Sequence, residues 1–165
     1  SGFGCRILAS DIRENPSLKG LCTYVDNETL YKECDIISLH IPLLESTRHF
    51  VNAETIAKMK DGVTIINCAR GELMHIPDMI RGIETQKIGA LALDVFDKED
   101  GIYHENRRDD IISNRDMAYL RQFPNVIMTQ HMAFYTDAAV QSMVFCGIEG
   151  LCDFAKTGHT ETELV

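Results

Sequence analysis

The 165-residue chain lacks the composition that marks several classes of protein. It has no tryptophan and only four prolines, and it contains no linker rich in proline or serine. Hydrophobic residues make up 45% and charged residues 25%, as in an average globular protein, which argues against disorder and fibrous repeats. We therefore expect a folded chain with a sizeable apolar core.

Positive charge is also scarce. Lysine and arginine total 16 against 25 aspartates and glutamates, and the formal net charge is -9. Such a surface repels phosphate backbones and anionic lipids, so we do not expect binding to nucleic acid or membranes. No apolar run approaches the roughly 20 residues of a membrane helix, and residues 1–5 do not resemble a signal peptide. We predict a cytoplasmic protein.

The cysteines lack the spacing of metal or redox motifs. There are six, but no two form a C-x-x-C pair. We therefore expect reduced thiols and no metal site. Cys34 and Cys68 lie beside or inside apolar runs, where a thiol behaves as a small hydrophobic group, and we expect buried structural roles for them.

What the sequence does contain is a regular succession of short apolar runs. They are nearly continuous in apolar residues, which is typical of strands covered on both faces of a parallel sheet. Their starts, near residues 6, 35, 63, 90 and 126, are 29, 28, 27 and 36 residues apart, the length of successive βαβ units. We predict strands at 6–11, 35–39, 63–67, 90–94 and 126–129.

Helices are predicted between and after these strands. Asn27, Asn52 and Pro77 each stand at the start of a segment with helical spacing of apolar residues. A longer helix of about 20 residues is predicted from Asp137 and ends before Gly158. The alternation of strands and helices predicts a doubly wound parallel α/β sheet.

Polar residues follow all five predicted strands. In a doubly wound sheet, ligands bind at the carboxyl ends of the strands, so we expect these residues to converge on one edge. The strand-end residues are Asp11, His40, Asn67 to Gly71, Asp94, and Gln130 with His131.

Several of these residues have both a functional and a structural interpretation. Asp11 could accept hydrogen bonds from the ribose hydroxyls of NAD, or it could close a turn. Arg70 could bind a carboxylate through its bidentate fork, or form a surface ion pair. His131 could be a general acid or base supported by Glu99, or a structural histidine. Glu99 lies in the charged segment 97–110, a predicted surface loop that either carries function or is only solvated.

The phosphate-binding fingerprint of dinucleotide folds, G-x-G-x-x-G, is absent. Gly2 and Gly4 give only G-x-G, with Ile7 in the third position, and they precede a strand where the fingerprint must follow one. In dinucleotide folds, the fingerprint lies about 20 residues before the acid that binds the ribose. If Asp11 is that acid, the fingerprint would lie before Ser1. We therefore expect the sequence to begin in the middle of a domain.

Five segments, taken in order, resemble the D-isomer-specific 2-hydroxyacid dehydrogenases, in particular their D-lactate dehydrogenase branch. The resemblance extends from Gly2 to about Lys156. It rests on Asp11–Ile12, Cys34–Pro42, Asn67–Leu73, Ala92–Phe96, and Pro124–Val126 leading into His131–Thr136.

This resemblance implies an NAD-dependent enzyme that interconverts a pyruvate-like 2-oxo acid and a D-lactate-like D-2-hydroxy acid. In the family an Arg binds the substrate carboxylate, a His exchanges the proton at the reacting oxygen, and a Glu hydrogen-bonds that His. Arg70, His131 and Glu99 match these three positions. Phe134 and Tyr135 match an aromatic pair that borders the substrate.

The resemblance also implies where NAD would lie along the strand ends. Asp11 and Ile12 would border the adenosine ribose, and Asp94 would meet the nicotinamide carboxamide. The remaining implied cofactor residues are Ile41, Pro42 and Thr47 on the adenine and ribose side, and Cys68 and Ala69 along the cofactor backbone.

The implied fold is a Rossmann-like dinucleotide-binding domain without its first strand, over residues 1–131. Residues 132–165 would form a helix and tail that return to the substrate domain. Because the N-terminal half of the family is missing, we expect a C-terminal fragment of a homodimeric enzyme that does not turn over alone. One alternative is an NAD(H)-sensing or corepressor-type module without catalysis. Another is a phosphoacceptor signalling domain, for which the strand ends supply too few acids and no lysine.

Overall fold

A computed structural model of the chain describes residues 2–106 and 114–161. The chain forms two compact units, Ser1–Gln130 and His131–Val165. The predicted surface loop consists of turns from 97 to 106, and its remainder, 107–110, lies outside the described residues.

The first unit alternates short strands with helices. Its strands are β1 (Leu8–Ala9), β2 (Thr23–Tyr24), β3 (Ile36–Leu39), β4 (Val63–Asn67), β5 (Ile88–Leu93) and β6 (Val126–Met128). Its helices are α1 (Asn27–Glu33), α2 (Ala53–Lys58), α3 (Ile76–Glu84) and α4 (Arg115–Leu120), with single 3-10 turns at Pro16–Leu18, Glu45–Thr47 and Gly71–Leu73.

The described strands pair in parallel and form two sheets. One sheet has the order β3-β4-β5-β6, and the other pairs β1 with β2. A doubly wound dinucleotide fold has the strand order 3-2-1-4-5-6. Without strand 1, strands 2 and 3 separate from strand 4 and its successors, which is the division seen here. The predicted incomplete parallel α/β sheet is confirmed.

Two of the predicted helix starts are confirmed. The side chain of Asn52 accepts hydrogen bonds from the main-chain N of Glu54 at 3.0 Å and of Thr55 at 3.2 Å. Pro77 lies in the first turn of α3, where its missing N–H leaves no helix hydrogen bond unmade.

Other features of the first unit differ from the prediction. β2 is only two residues long and α4 only six, too short for a clear apolar period. α4 is nevertheless fixed by Asn114, whose side chain accepts from the N of the fully buried Met117 at 3.1 Å. β5 begins at Ile88, two residues before the predicted start. The residue that caps α1 is Asp26, and not Asn27, because the Asp26 carboxylate accepts from the third helical amide.

The apolar core lies between the four-stranded sheet and its helices. Apolar side chains that are at most 3% exposed come from both layers. In β4 and β5 they are Val63, Ile65, Ile88, Leu91 and Leu93, and in α3 and α4 they are Met79, Ile83, Met117 and Leu120. Burying one side chain of this size contributes about 1.5–3 kcal/mol, so the sheet and its helices hold most of the stabilising contacts.

Asp78 connects two helices of this layer. Its Oδ2 accepts hydrogen bonds from the main-chain N of Ala53, at the start of α2, and from Nδ1 of His75, each at 2.8 Å. Burial raises the pKa of the Asp78 carboxyl, but these hydrogen bonds outweigh burial and hold the pKa below its usual value. The ionised carboxylate is therefore the form that joins α2 to α3.

All six cysteines are reduced, as expected, but none of them is buried. Cys34 is half-buried beside the core, whereas Cys68 is exposed because it follows the last residue of β4, where the chain leaves the sheet. The prediction of buried structural roles for Cys34 and Cys68 is therefore wrong.

The second unit is dominated by the helix α5 (Asp137–Thr157). Thr136 caps its start, accepting from the N of Ala139 at 3.2 Å. The helix ends at Gly158, which has a φ of 73° in the left-handed region that suits glycine. The predicted extent of this helix is confirmed.

α5 exposes nearly all of its apolar surface. By length and composition alone, this helix is long and apolar enough to cross a membrane, although its uninterrupted apolar runs are short. No other helix in the described residues meets this criterion. Its large exposed side chains are Met143, Val144, Phe145, Ile148, Leu151 and Phe154. A patch of this kind is characteristic of a surface that packs against a partner.

Candidate functional site

The loop that follows β4 is held by the side chain of Asn67. This side chain is fully buried, its Oδ1 accepts from the N of Ala69 at 3.0 Å, and its Nδ2 donates to the O of Arg70 at 2.8 Å. The main-chain O of Asn67 also accepts from the N of Asp94 at 3.0 Å. The backbone that carries Arg70 is therefore tied to the carboxyl ends of both β4 and β5.

Gly71 places this loop directly against the turn that contains Glu99. A Cβ on Gly71 would lie 2.1 Å from the carbonyl carbon of Phe96 and 2.3 Å from the N of Asp97, so only glycine permits the approach. The Glu99 carboxylate accepts a hydrogen bond from the N of Phe96 at 2.7 Å. The structure thus brings together the loops of Arg70 and Glu99, two of the three predicted catalytic residues.

The side chain of Arg70 is exposed at this edge. Its Nη1 donates to the O of Ala69 at 2.7 Å, which aligns the guanidinium with its own loop. None of the ion pairs in the described part of the chain involves Arg70, so the structural alternative of a surface ion pair is not seen there. An exposed guanidinium on a fixed backbone suits the bidentate binding of a carboxylate.

Asp94 and Thr129 connect the ends of β5 and β6. The hydroxyl of Thr129 donates a short hydrogen bond to the Oδ1 of the buried Asp94, and the N of Thr129 donates to the O of Leu93 at 2.9 Å. Sequence reasoning assigned Asp94 to the cofactor but missed Thr129, which closes an apolar run and gives no signal of its own. The ends of three neighbouring strands are thus joined through polar contacts.

Asp11 and Ile12, after β1, are both exposed. The Oδ1 of Asp11 accepts from the N of Arg13 at 3.0 Å, so the turn-forming interpretation of this residue is present in the structure. A carboxylate held in this way still presents a charged acceptor to solvent. Contact with a ribose remains a prediction for both residues.

The end of β3 carries a second group of predicted cofactor residues. Ile41 is half-buried and Pro42 is exposed. The hydroxyl of Thr47 donates to the O of Pro42 at 2.7 Å and accepts from the N of Leu44 at 2.8 Å, so it closes this loop on itself. Thr47 therefore shapes the loop, and its contact with a cofactor remains a prediction.

Cys68 and Ala69 occupy the loop between Asn67 and Arg70. Desolvation and the nearby Asp94 carboxylate raise the pKa of the Cys68 thiol. The thiol is therefore neutral near pH 7, which fits a lining residue and not a nucleophile.

Tyr103 is a further residue near the site that the sequence did not indicate. It is buried, and its main-chain N donates to the O of Glu99 at 3.1 Å. Burial and the negative charge of Glu99 raise the pKa of Tyr103 to about 12, so its phenol stays neutral. The residue lies in a charged, aperiodic segment, and a single tyrosine there carries no sequence signal.

His131, in the second unit, has an unusual backbone conformation. Its φ is 54°, in the left-handed region that non-glycine residues rarely adopt and that is common at functional sites. Its ring lies 6.5 Å from that of Phe134, which meets Tyr135 edge to face at 6.0 Å. Both aromatic rings are exposed, so the segment after His131 presents an aromatic surface.

The chemistry of the strand ends suits a dinucleotide. Within residues 2–106 and 114–161, no group of three His, Cys, Asp or Glu side chains could hold a metal ion. The carboxylate of Asp11 suits hydroxyl groups, and the half-buried Ile41 and Ala69 suit the flat faces of rings. The G-x-G at Gly2 and Gly4 precedes β1 and does not form the loop that binds phosphates.

Comparisons with known proteins agree with this picture. The family model described as D-isomer specific 2-hydroxyacid dehydrogenase, NAD binding domain, matches residues 1–133. The chain is 42% identical to an aromatic 2-oxoacid reductase of Clostridium sporogenes, covering all of this chain and 50% of that protein. It is 40% identical to a D-lactate dehydrogenase of Lactobacillus delbrueckii subsp. bulgaricus, covering 98% of this chain and 49% of that protein.

Solved structures give the same result. A D-lactate dehydrogenase from Treponema pallidum matches with a TM-score of 0.94 and 31% identity, over 99% of this chain and 50% of that one. The NAD-complexed D-isomer specific 2-hydroxyacid dehydrogenase from Lactobacillus delbrueckii matches with a TM-score of 0.89 and 30% identity, over 99% and 50% of the two chains.

Four conclusions follow from these comparisons. The chain spans about half the length of the curated relatives it matches. These relatives are named as reductases and dehydrogenases, so the comparisons give no support to a sensing module without catalysis. The cofactor of the matched domain is NAD. The chain belongs to the D-isomer specific 2-hydroxyacid dehydrogenases, through their NAD-binding domain.

Proposed function

We propose that this chain is the C-terminal part of an NAD-dependent enzyme that interconverts a 2-oxo acid and a D-2-hydroxy acid. The observation that carries the proposal is the contact of Gly71 with Phe96 and Asp97. This contact holds the loop of Arg70 against the turn of Glu99 at the carboxyl edge of an NAD-binding sheet. A guanidinium and a carboxylate at that edge suit the binding and protonation of a small keto acid.

The proposed roles of the three residues follow from the charges that change in the reaction. Bound NADH supplies the hydride that reduces C2 of the 2-oxo acid. Arg70 binds the substrate carboxylate in a bidentate manner and fixes the orientation of C2. His131 donates a proton to the C2 oxygen as negative charge develops there, and Glu99 favours the charged imidazolium. Phe134 and Tyr135 border the side chain of the substrate.

We propose that turnover requires the half of the relatives that this chain does not span. β1 pairs only with β2, and β3 only with β4, among the described strands. Ile36 of β3 is 57% exposed beside this open edge. A further strand between β1 and β3, followed by a glycine-rich loop, would complete the sheet and bind the phosphates of NAD. The helix α5 would bury its apolar face against the substrate domain.

The first test compares this chain with the longest reading frame that contains it. NADH oxidation is measured for both proteins with pyruvate and with phenylpyruvate as acceptors. We expect turnover of a 2-oxo acid by the longer protein and none by the 165-residue chain. Robust turnover by the short chain would refute the need for a further half. NADH binding by the longer protein without reduction of either acid would refute the proposed reaction.

Substitution of Arg70 tests its proposed role. Arg70→Ala removes the fork that binds the carboxylate, and we expect kcat/KM for the 2-oxo acid to fall at least about a hundredfold. Arg81→Ala, which removes an exposed arginine from α3, serves as the matched control and is expected to change kcat/KM less than about threefold. Equal effects of the two substitutions would contradict the role of Arg70.

The family resemblance also suggests a homodimer formed through the dinucleotide-binding domain and a cytoplasmic location. Light scattering of the longer protein after size-exclusion chromatography measures the oligomeric state directly. A monomer at micromolar concentration would contradict the proposed dimer.

A further inference from the structure

We infer that Asn67 is a positioning residue of the active site, acting through Arg70. Its side chain is the only fully buried polar side chain, at 0% exposure, in the described part of the chain. The inference rests on the proposed function, because it assigns Asn67 a part in placing the group that binds the substrate carboxylate.

The first step of the argument concerns the cost of burying a carboxamide. An unpaired amide in an apolar core is destabilising. Asn67 lies in such a core, because the other inward-facing positions of β4 are occupied by the apolar residues Val63 and Ile65. Asn67 avoids that cost only because the loop supplies both a donor, the N of Ala69, and an acceptor, the O of Arg70. An apolar side chain at this position would remove the acceptor of the Ala69 N and would leave the O of Arg70 with only the N of Leu73, at 3.3 Å.

The second step concerns what these two hydrogen bonds hold. They hold the main chain on either side of Arg70: the Cys68–Ala69 peptide through the N of Ala69, and the Arg70–Gly71 peptide through the O of Arg70. The guanidinium itself is exposed, and within residues 2–106 and 114–161 its side-chain hydrogen bond goes to its own loop, at the O of Ala69. The position of the guanidinium is therefore set by the backbone, and the backbone is set by Asn67.

The third step is the connection to the neighbouring strand end. The main-chain O of Asn67 accepts from the N of Asp94, and the carboxylate of Asp94 accepts from the hydroxyl of Thr129. The main chain of Asn67 is thus held to β5 independently of its side chain, so loss of the side-chain hydrogen bonds should displace the loop of Arg70 and leave Asp94, the predicted nicotinamide contact, in place. A misplacement of about 1 Å in a binding group costs on the order of a hundredfold in rate.

The test uses the longest reading frame that contains this chain and the variant Asn67→Asp. This variant keeps the acceptor for Ala69 but replaces the donor with an oxygen that faces the O of Arg70. We expect KM for the 2-oxo acid to rise at least about tenfold, with the Kd of NADH unchanged within threefold. Asn125→Asp is the matched control, because Asn125 makes a similar amide-to-carbonyl hydrogen bond, to Gly89 at 2.8 Å, before the start of β6.

A double-mutant cycle separates positioning from general stability. In the Arg70→Ala background, Asn67→Asp is expected to change KM less than twofold, because its effect passes through Arg70. An undiminished effect in that background, or an equal rise of KM in Asn125→Asp, would overturn the inference. If Asn67→Asp does not fold, Asn67→Ser, which keeps a small hydrogen-bonding group, takes its place in the same cycle.

A second readout is independent of turnover. Exchange of the Ala69 amide with solvent is measured by NMR, and Asn67→Ala is expected to accelerate it at least about tenfold, while Asn125→Ala does not. Unchanged exchange would overturn the inference even if the enzyme reduces no 2-oxo acid. Activity of the unsubstituted protein decides the proposed function separately.

Discussion

Two regions of this chain are rich in apolar residues but differ in where those residues lie. In the four-stranded sheet, Ile65 and Leu91 are at most 1% exposed, whereas Phe145, Ile148 and Leu151 of α5 are all more than half exposed. The sheet is covered by helices of its own unit, whereas α5 has no buried residues. Apolar spacing therefore predicts that an element forms, but not whether the same chain contains its partner.

The largest expected effect comes from truncating a buried apolar side chain of the sheet, in comparison with an exposed one on α5. Ile65→Ala should reduce the free energy of unfolding by about 3 kcal/mol, because it removes buried methyl groups and leaves a cavity. Leu151→Ala on α5 should reduce it by less than about 0.5 kcal/mol, because that side chain is already solvated. Urea unfolding followed by far-UV circular dichroism measures both, since the chain has no tryptophan. Similar losses in the two variants would mean that α5 is covered within this chain.

Two glycines offer a comparison of backbone contacts. Gly71→Ala should cost about 2 kcal/mol, because the new Cβ would overlap the backbone at Phe96 and Asp97. Gly147→Ala lies on α5, where a Cβ would meet nothing within 4 Å, and should stabilise the helix by about 0.5–1 kcal/mol. Thermal unfolding of the two variants gives the sign directly. If Gly71→Ala left the stability unchanged, the loops of Arg70 and Glu99 could separate without loss of folding free energy.

The smallest effect concerns Asp78 and its dependence on pH. Asp78→Asn should destabilise the chain by about 1 kcal/mol at pH 7, through loss of charge-assisted hydrogen bonds to Ala53 and His75. Because the pKa of Asp78 is lowered in the folded state, its contribution is present above about pH 4 and is lost as the pH falls through the folded pKa.

The difference between Asp78→Asn and the unsubstituted chain should therefore disappear in acid. Unfolding is measured at several pH values, with Asp153→Asn on the exposed α5 as the control that changes little at any pH. A difference that does not diminish at any acidic pH would contradict the proposed ionisation of Asp78.

Sequence reasoning predicted the parts of this molecule that depend on local pattern. The βαβ spacing predicted β3 to β6, and the end of α5 followed from Gly158. β2 and α4 were missed because two to six residues are too few to show a period. The approach of the loops of Arg70 and Glu99 followed from the rule that strand ends share an edge. The contacts that fix these loops did not follow, because Gly71 meets the backbone of Phe96 and the main chain of Asn67 meets Asp94, both distant in the sequence, which leaves no local pattern.

The strand order has a consequence for how this chain is made. From β4 to β6, every strand pairs with the one that precedes it in the sequence. Each strand that leaves the ribosome therefore finds its neighbour already synthesised, and the four-stranded sheet can grow in one direction without waiting for distant residues. By the time α5 has been translated, β3 to β6 have all been synthesised, so the sheet can bury its apolar residues while the exposed apolar face of α5 still requires shelter from aggregation.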